Sequence, residues 1–305
     1  MASEKENKYE LIIVGCGAAG LTASIYAARY KINALTIGFD FGLASTAYKI
    51  CNYPGFSEIS GIDLMQKIYK HALKEEAEIL FDKVMEIKKK DSLFEVKTNS
   101  GIFYSEYLLL ATGAGRRTLG LKNEKKFIGK GLSYCASCDA TLYKDKIVGV
   151  VGGGNSALTS ALLLAQHAKK VYIIYRREKF FRPEPKWIEA VEKNKKIKVI
   201  FNANVVELIG DKLLHAVKLS NGQTLKLSGL FAEIGSKPNN ELAKQLNLKL
   251  DKSGYIVVDE TKRTSEKKVY AAGDVTNNLF KQIVVAASDA AVAIRSIYHE
   301  LEAKR

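Results

Sequence analysis

Hydrophobic and polar positions along the chain fall into short unbroken apolar runs, each followed by glycines and then by an alanine-rich stretch. Leu11-Ile12-Ile13-Val14 is such a run, the pattern of a parallel strand covered on both faces. A glycine turn follows, then a helix to about Arg29 and a second strand near 34–37. The same order returns as a strand over 147–151, the turn Gly152-Gly153-Gly154, a helix over 157–168 and a strand over 171–174. Gly15, Gly17, Leu21 and Thr22 recur as Gly152, Gly154, Leu158 and Thr159 at one constant offset. Strand, turn, helix and strand repeated in register predict two dinucleotide-type domains.

Between and after the repeats the pattern turns to short strands with turn signals. One pair spans 93–98 and 107–112 around Asn99-Ser100-Gly101. Another spans 205–209 and 215–219, with Asn221-Gly222 just beyond. A strand over 268–271, then Gly273-Asp274 and an apolar helix from about 282 to 301, read as a return to the first domain after about 247. The expected fold is α/β, with two Rossmann-like three-layer dinucleotide-binding domains. Residues 117–246 form a domain inserted into a discontinuous one made of 1–116 and 247–305.

Composition agrees with this and excludes several classes. The 305 residues are 47% hydrophobic and 26% charged, too apolar for a disordered chain. Net charge is +14, which favours anionic partners without deciding the fold. Lys88-Lys89-Lys90 and the lysines of 193–198 lack the interleaved aromatics of a nucleic-acid groove, so nucleic acid is not an expected partner. The apolar stretch 11–28 approaches a membrane span in length, but Gly15, Gly17 and Gly20 break it. The first residues mix both charge signs, unlike a signal peptide. A cytoplasmic protein without membrane segments is expected. His71, His167, His215 and His299 show no ligand spacing, and no metal is expected. Cys51 reads as a small buried side chain.

Gly15-Cys16-Gly17-Ala18-Ala19-Gly20 follows a strand and opens a helix, where three glycines permit a tight turn, approach of a pyrophosphate and close helix–strand contact. Asp40, at the end of the second strand, can accept hydrogen bonds from a ribose 2′-hydroxyl. The second turn continues as Asn155-Ser156-Ala157, and the constant offset carries Asp40 to Arg177, beside Arg176. A carboxylate repels a 2′-phosphate and a guanidinium binds one in two charged hydrogen bonds, so the second site suits NADPH.

Cys135-Ala136-Ser137-Cys138-Asp139 contains a C-x-x-C without the second ligand pair that zinc needs. The remaining reading is a redox dithiol, with Cys135 activated by a helix N-terminus and Asp139 available as acid or base.

Two nucleotide turns with C-A-S-C-D just before the second resemble the low-molecular-weight thioredoxin reductases, which are flavoprotein disulfide reductases. Asn52-Tyr53-Pro54-Gly55-Phe56, Ala111-Thr112-Gly113-Ala114, Ala272-Gly273-Asp274-Val275 and Lys281-Gln282-Ile283 resemble that family's flavin-side segments. Arg176-Arg177 with Arg182 resembles its 2′-phosphate clamp. The resemblance implies FAD in the discontinuous domain, near Gly15, Gly17, Ala18, Ala19, Gly20, Asp40, Asn52, Val84, Ala111, Thr112, Gly113, Gly273, Asp274, Lys281, Gln282 and Ile283. It implies NADPH in the inserted domain, near Gly152, Gly154, Asn155, Ser156, Ala157, Arg176, Arg177, Arg182 and Ile234. It also implies Cys138 against the flavin, Cys135 as the exchanging thiolate, and an inserted domain that rotates on hinges near 116–118 and 236–240. A thioredoxin or glutaredoxin-like protein substrate and a homodimer follow from the same likeness. Reduced ferredoxin or molecular oxygen as the other reactant is the alternative. Four positions depart from the family pattern: Tyr175 for histidine, Arg182 one residue late, Thr159 for an acid, and Phe41-Gly42-Leu43-Ala44 for G-G-Q-L.

Overall fold

The computed structural model describes residues 7–47, 49–180 and 183–304. The chain divides into two compact units, Met1–Gly115 with Lys237–Arg305, and Arg116–Ser236.

In the first unit β1 (Lys8–Val14) leads through the glycine turn to α1 (Ala18–Arg29) and β2 (Ala34–Gly38). β3 (Ile102–Leu110) lies on the other side of β1. All three are parallel, with Val14 in register with Ile37 and Leu110, so the strands end level and the turn leaves from their carboxyl ends. Glu78–Phe81 extends the sheet beyond β2, and Val269–Ala271 pairs with β3. Leu11, Ile12 and Ile13 are wholly buried because both faces are covered. α1 and the helix Ile283–Glu302 share a core with Leu21, Ala23, Ala27, Ala290, Ala293 and Ile294, where the four alanines let the helices lie close. On the other face Ile12, Leu108 and Leu110 pack with Ile87, Phe94 and Val96 of the antiparallel strands Val84–Lys90 and Leu93–Thr98. Burying each such aliphatic side chain stabilises by ~1.5–3 kcal/mol.

Residues from Lys237 onward belong to this first unit, earlier than the return at 247 read from the pattern, and Arg116 already opens the second. Ala243 and Leu246 are buried beside Leu108 and Ile256. Their helix, Glu241–Gln245, is too short for a 3.6-residue period to register.

The second unit repeats the plan with β4 (Ile147–Val151), α2 (Asn155–His167), β5 (Lys170–Ile174) and β6 (Gly229–Ala232). Its five parallel strands run in the order Ile197–Ile200, β5, β4, β6, Leu132–Ser133. α2 covers one face through Leu158, Ala161 and Leu164. The antiparallel strands Val205–Gly210, Leu214–Leu219 and Thr224–Lys226 cover the other through Leu208, Val217 and Leu225. Among the described residues, no helix is long and apolar enough to cross a membrane.

Candidate active site

The turn after β1 is built so that only glycine fits at two points. Gly15 has φ +120°, and a Cβ there would come within 2.3 Å of the Ala111 carbonyl oxygen. A Cβ on Gly20 would lie 1.7 Å from the Gly15 carbonyl oxygen, forcing α1 off the strand. A Cβ on Gly17 would come no nearer than 3.9 Å, to the Phe41 carbonyl oxygen; Gly17 caps α1 without any side-chain hydrogen bond, and the first turn of α1 holds no acid. The backbone N–H groups of that turn face outward with the positive end of the helix dipole, a fit for a pyrophosphate.

Other predicted residues gather at the same sheet end. Gly273, with φ +79°, packs against Ala19 at the start of α1, and its N–H donates to Asp289 Oδ2 at 3.1 Å. Burial pushes the neighbouring Asp274 carboxyl up, and the Lys281 cation opposes that shift. Lys281 donates to the Thr276 carbonyl oxygen and stands 4.1 Å above the Tyr255 ring. Asn52 Nδ2 donates to Gln282 Oε1 at 3.1 Å, joining two of the segments expected to face the flavin. Thr112 Oγ1 donates to the Asn239 carbonyl oxygen at 2.7 Å, and Asn239 Nδ2 returns a bond to the Thr112 carbonyl oxygen at 2.8 Å. The Asn239 N–H donates to the Gly113 carbonyl oxygen at 3.0 Å. Val84 is half-buried at the start of its strand. Asp40 lies two residues past the end of β2 rather than on it, exposed, with Oδ1 accepting the Gly42 N–H at 2.8 Å.

Cys16 sits inside the first turn, buried, and its thiol is pushed up to about 12 by burial and then by the Asp40 charge. At pH 8 it therefore stays protonated, and the thiolate that alkylates is scarce. Iodoacetamide is expected to leave Cys16 unlabelled in the reduced native protein and to label it after denaturation. Labelling in the native fold, read by peptide mass, would show that the turn opens.

The second turn repeats the cradle. A Cβ on Gly152, at φ +144°, would come within 2.1 Å of the Glu233 carbonyl oxygen and 3.0 Å of the Ala157 Cβ. Gly154 is open and caps α2 with no side-chain bond and no acid in the first turn. Ser156 is exposed there, whereas the Asn155 amide exchanges two hydrogen bonds with Glu184, of 2.9 and 2.8 Å. Thr159 returns its hydroxyl to the Asn155 carbonyl oxygen. Tyr175 lays its ring over Gly153 and stacks on Phe180 at 5.7 Å. Arg176 and Arg177 follow β5 as exposed side chains; Arg182 lies outside the described residues. Ile234 is half-buried against the hairpin-side core.

Cys135 and Cys138 form a disulfide with their Cα atoms 5.3 Å apart. Cys135 caps the four-residue helix Ala136–Asp139, and the Cys138 N–H donates to its Sγ at 3.2 Å. Cys135 is half-buried, Cys138 exposed and Asp139 half-buried, the last close enough for its charge to add to the burial that raises the Tyr143 phenol. The segment leading to Cys135 is braced. Its N–H donates to Ser133 Oγ at 3.0 Å, and Tyr134 donates its hydroxyl to Glu124. The Glu124 carboxylate also accepts the N–H groups of Leu119 and Gly120 at 2.7 Å and of Leu121 at 3.2 Å.

Asp289, Asn239 and Glu124 escaped the sequence reading. Only Asp289 left a signal: an acid in an apolar helical run, which the fold buries and pairs with Lys262 at 2.8 Å. Among the described residues no three metal-ligating side chains cluster.

Two glycine cradles with uncapped helix starts and a dithiol on the second unit match a known family model. Residues 9–290 fit the pyridine nucleotide-disulphide oxidoreductases. The chain belongs to that family. It is 37% identical to the thioredoxin reductase of Mycoplasma genitalium over 301 residues, 96% of this chain and 95% of that one. The thioredoxin reductase structure from T. acidophilum superposes with a TM-score of 0.92 at 36% identity, covering 97% of this chain and 99% of that one. The Lactococcus lactis thioredoxin reductase structure gives 0.91 at 30% identity, covering 95% and 98%. The protein is thus a flavin-dependent disulfide reductase of the thioredoxin reductase type, with FAD and NADPH as cofactors, and both cradles fit a dinucleotide.

Proposed function

We propose that the first unit binds FAD, that the inserted unit binds NADPH, and that Cys135 and Cys138 pass electrons to the disulfide of thioredoxin or a glutaredoxin-like protein. The observation that carries this reading is the Cys135–Cys138 disulfide on the same unit as the second glycine cradle. FAD, when bound, would supply the two-electron chemistry that links nicotinamide to the disulfide. The protein's own residues do the rest. The Cys135 thiolate attacks the partner's disulfide, forming a mixed disulfide and expelling one partner thiolate. The Cys138 thiolate then attacks Cys135 Sγ, which restores the Cys135–Cys138 bond and releases the second partner thiolate. Asp139 supplies or takes the proton that each exchange moves.

Charge supports anionic partners. Residues 116–236 hold 22 Lys and Arg against 10 Asp and Glu, so nearly all of the +14 sits on the inserted unit. Such a field speeds encounter with a dinucleotide tetra-anion and with an acidic protein. The family likeness further supports a homodimer and a cytoplasmic location. Sedimentation at micromolar concentration tests the dimer.

Purified protein is expected to be yellow, with about one FAD per chain. Without air, NADPH should bleach it. A colourless preparation that takes up no FAD, or a bound flavin that dithionite bleaches and NADPH does not, would overturn the reading.

A further inference from the structure

Glu233 is a largely buried acid that none of these steps uses. It follows β6 directly: its N–H donates to the Val151 carbonyl oxygen at 2.8 Å, and its own carbonyl oxygen lies against Gly152. Its side chain, 12% exposed, turns toward α2. There Ser160 Oγ donates to Oε1 at 3.0 Å, and Arg116 Nη1 donates to the same oxygen at 3.3 Å. Burial pushes this carboxyl up, while Arg116 and Ser160 pull it back toward the ionised form. Ser160 and Arg116 hold the group in one place at the carboxyl end of the sheet.

Topology decides which half of a dinucleotide meets it. β4 has β5 on one side and β6 on the other. In open parallel sheets the ligand lies across the carboxyl ends of the strands where the order reverses, with its pyrophosphate on the first turn. Arg176 and Arg177 follow β5, which puts the 2′-phosphate and adenosine on that side. The nicotinamide half then runs over the end of β6, where Glu233 stands.

We propose that Glu233 reads the nicotinamide end of NADPH by accepting a hydrogen bond from the N–H of the ring's carboxamide. This rests on the inserted unit being the NADPH site. A carboxylate at that point selects a pyridine-3-carboxamide, which has an N–H to give, over a 3-acetyl ring, which has none. Arg116 makes the arrangement sustainable, because a carboxylate buried without a cation would be costly.

Titration calorimetry on the holoenzyme tests it with three probes: NADP+, its 3-acetylpyridine analogue, and 2′,5′-ADP, which is the adenosine half alone. The native protein is expected to bind NADP+ at least about tenfold more tightly than the analogue. Glu233→Ala should close that gap and leave 2′,5′-ADP affinity unchanged. Since this variant strips Arg116 of its carboxylate, Arg116→Met/Glu233→Met is measured beside it, removing both charges together. Equal affinity of the native protein for NADP+ and the analogue overturns the proposal. So does a preference that survives in either variant. Failure of the native protein to bind 2′,5′-ADP is the separate outcome that removes the NADPH site itself, and the proposal with it.

Discussion

Cys135→Ser and Cys138→Ser are each expected to lower NADPH-driven disulfide reduction at least about a thousandfold, because a hydroxyl can neither attack a disulfide at neutral pH nor form the S–S bond that stores the electrons. The two variants should differ in kind. Cys135→Ser keeps Cys138, the sulfur assigned to the flavin side, and a free thiolate there should add a long-wavelength absorbance band to the oxidised protein. Cys138→Ser should lack that band. It keeps Cys135, with its Sγ beside the residue-138 N–H, and should trap a thioredoxin-type partner as a stable mixed disulfide. Both should still be bleached by NADPH, since hydride delivery needs only the two dinucleotide cradles. Wild-type disulfide turnover in either variant would remove the dithiol from the relay. Absorbance bands in the reverse order would exchange the roles of the two sulfurs.

The parts of the fold that could be read from sequence are those where physics leaves one residue type. At Gly20 a single Cβ would strike backbone at 1.7 Å, so the chain must show glycine there, and the turn announces itself. Buried parallel strands likewise show as unbroken apolar runs, as at Leu11-Ile12-Ile13-Val14. Backbone-mediated contacts leave no such mark. Asn239 clamps Thr112 and Gly113 through one carbonyl, one amide and one backbone N–H, and any connector containing asparagine would look the same. The first residues of the return to the first unit leave little trace for a related reason: Ala243 and Leu246 are buried from a helix of little more than one turn. Glu124 hid differently. Its carboxylate serves three N–H groups of the loop just before it and the tyrosine beside Cys135, and no spacing rule pairs an acid with backbone donors in a loop.

The basic strand end in the second unit carries the remaining prediction, on choice of donor. Arg176 and Arg177 emerge past β5 at the place where the first unit presents Asp40, so the two sites carry opposite charge at equivalent positions. Each charged hydrogen bond to a 2′-phosphate contributes roughly 1.5–3 kcal/mol, and because both side chains are exposed the lower figure applies. Two such bonds give about 3 kcal/mol, so NADPH should outperform NADH by about a hundredfold in kcat/KM for flavin reduction. The preference should shrink as salt rises, because the Debye length falls to ~3 Å at 1 M. It should shrink again below about pH 6, where a phosphate monoester takes up a proton and loses a charge while arginine keeps its own. Arg176→Ala/Arg177→Ala should bring the two donors to within about tenfold by weakening NADPH, with NADH rates unchanged. Tyr175, stacked on Phe180 and lying over Gly153, backs this strand end without offering a charge, so Tyr175→Phe should leave the ratio alone. Arg182→Ala, measured separately, reports whether a third guanidinium joins the first two. If the native protein used both donors equally, or if the double variant kept its preference, the phosphate would be held elsewhere and the opposed charges of the two strand ends would have no part in selecting NADPH.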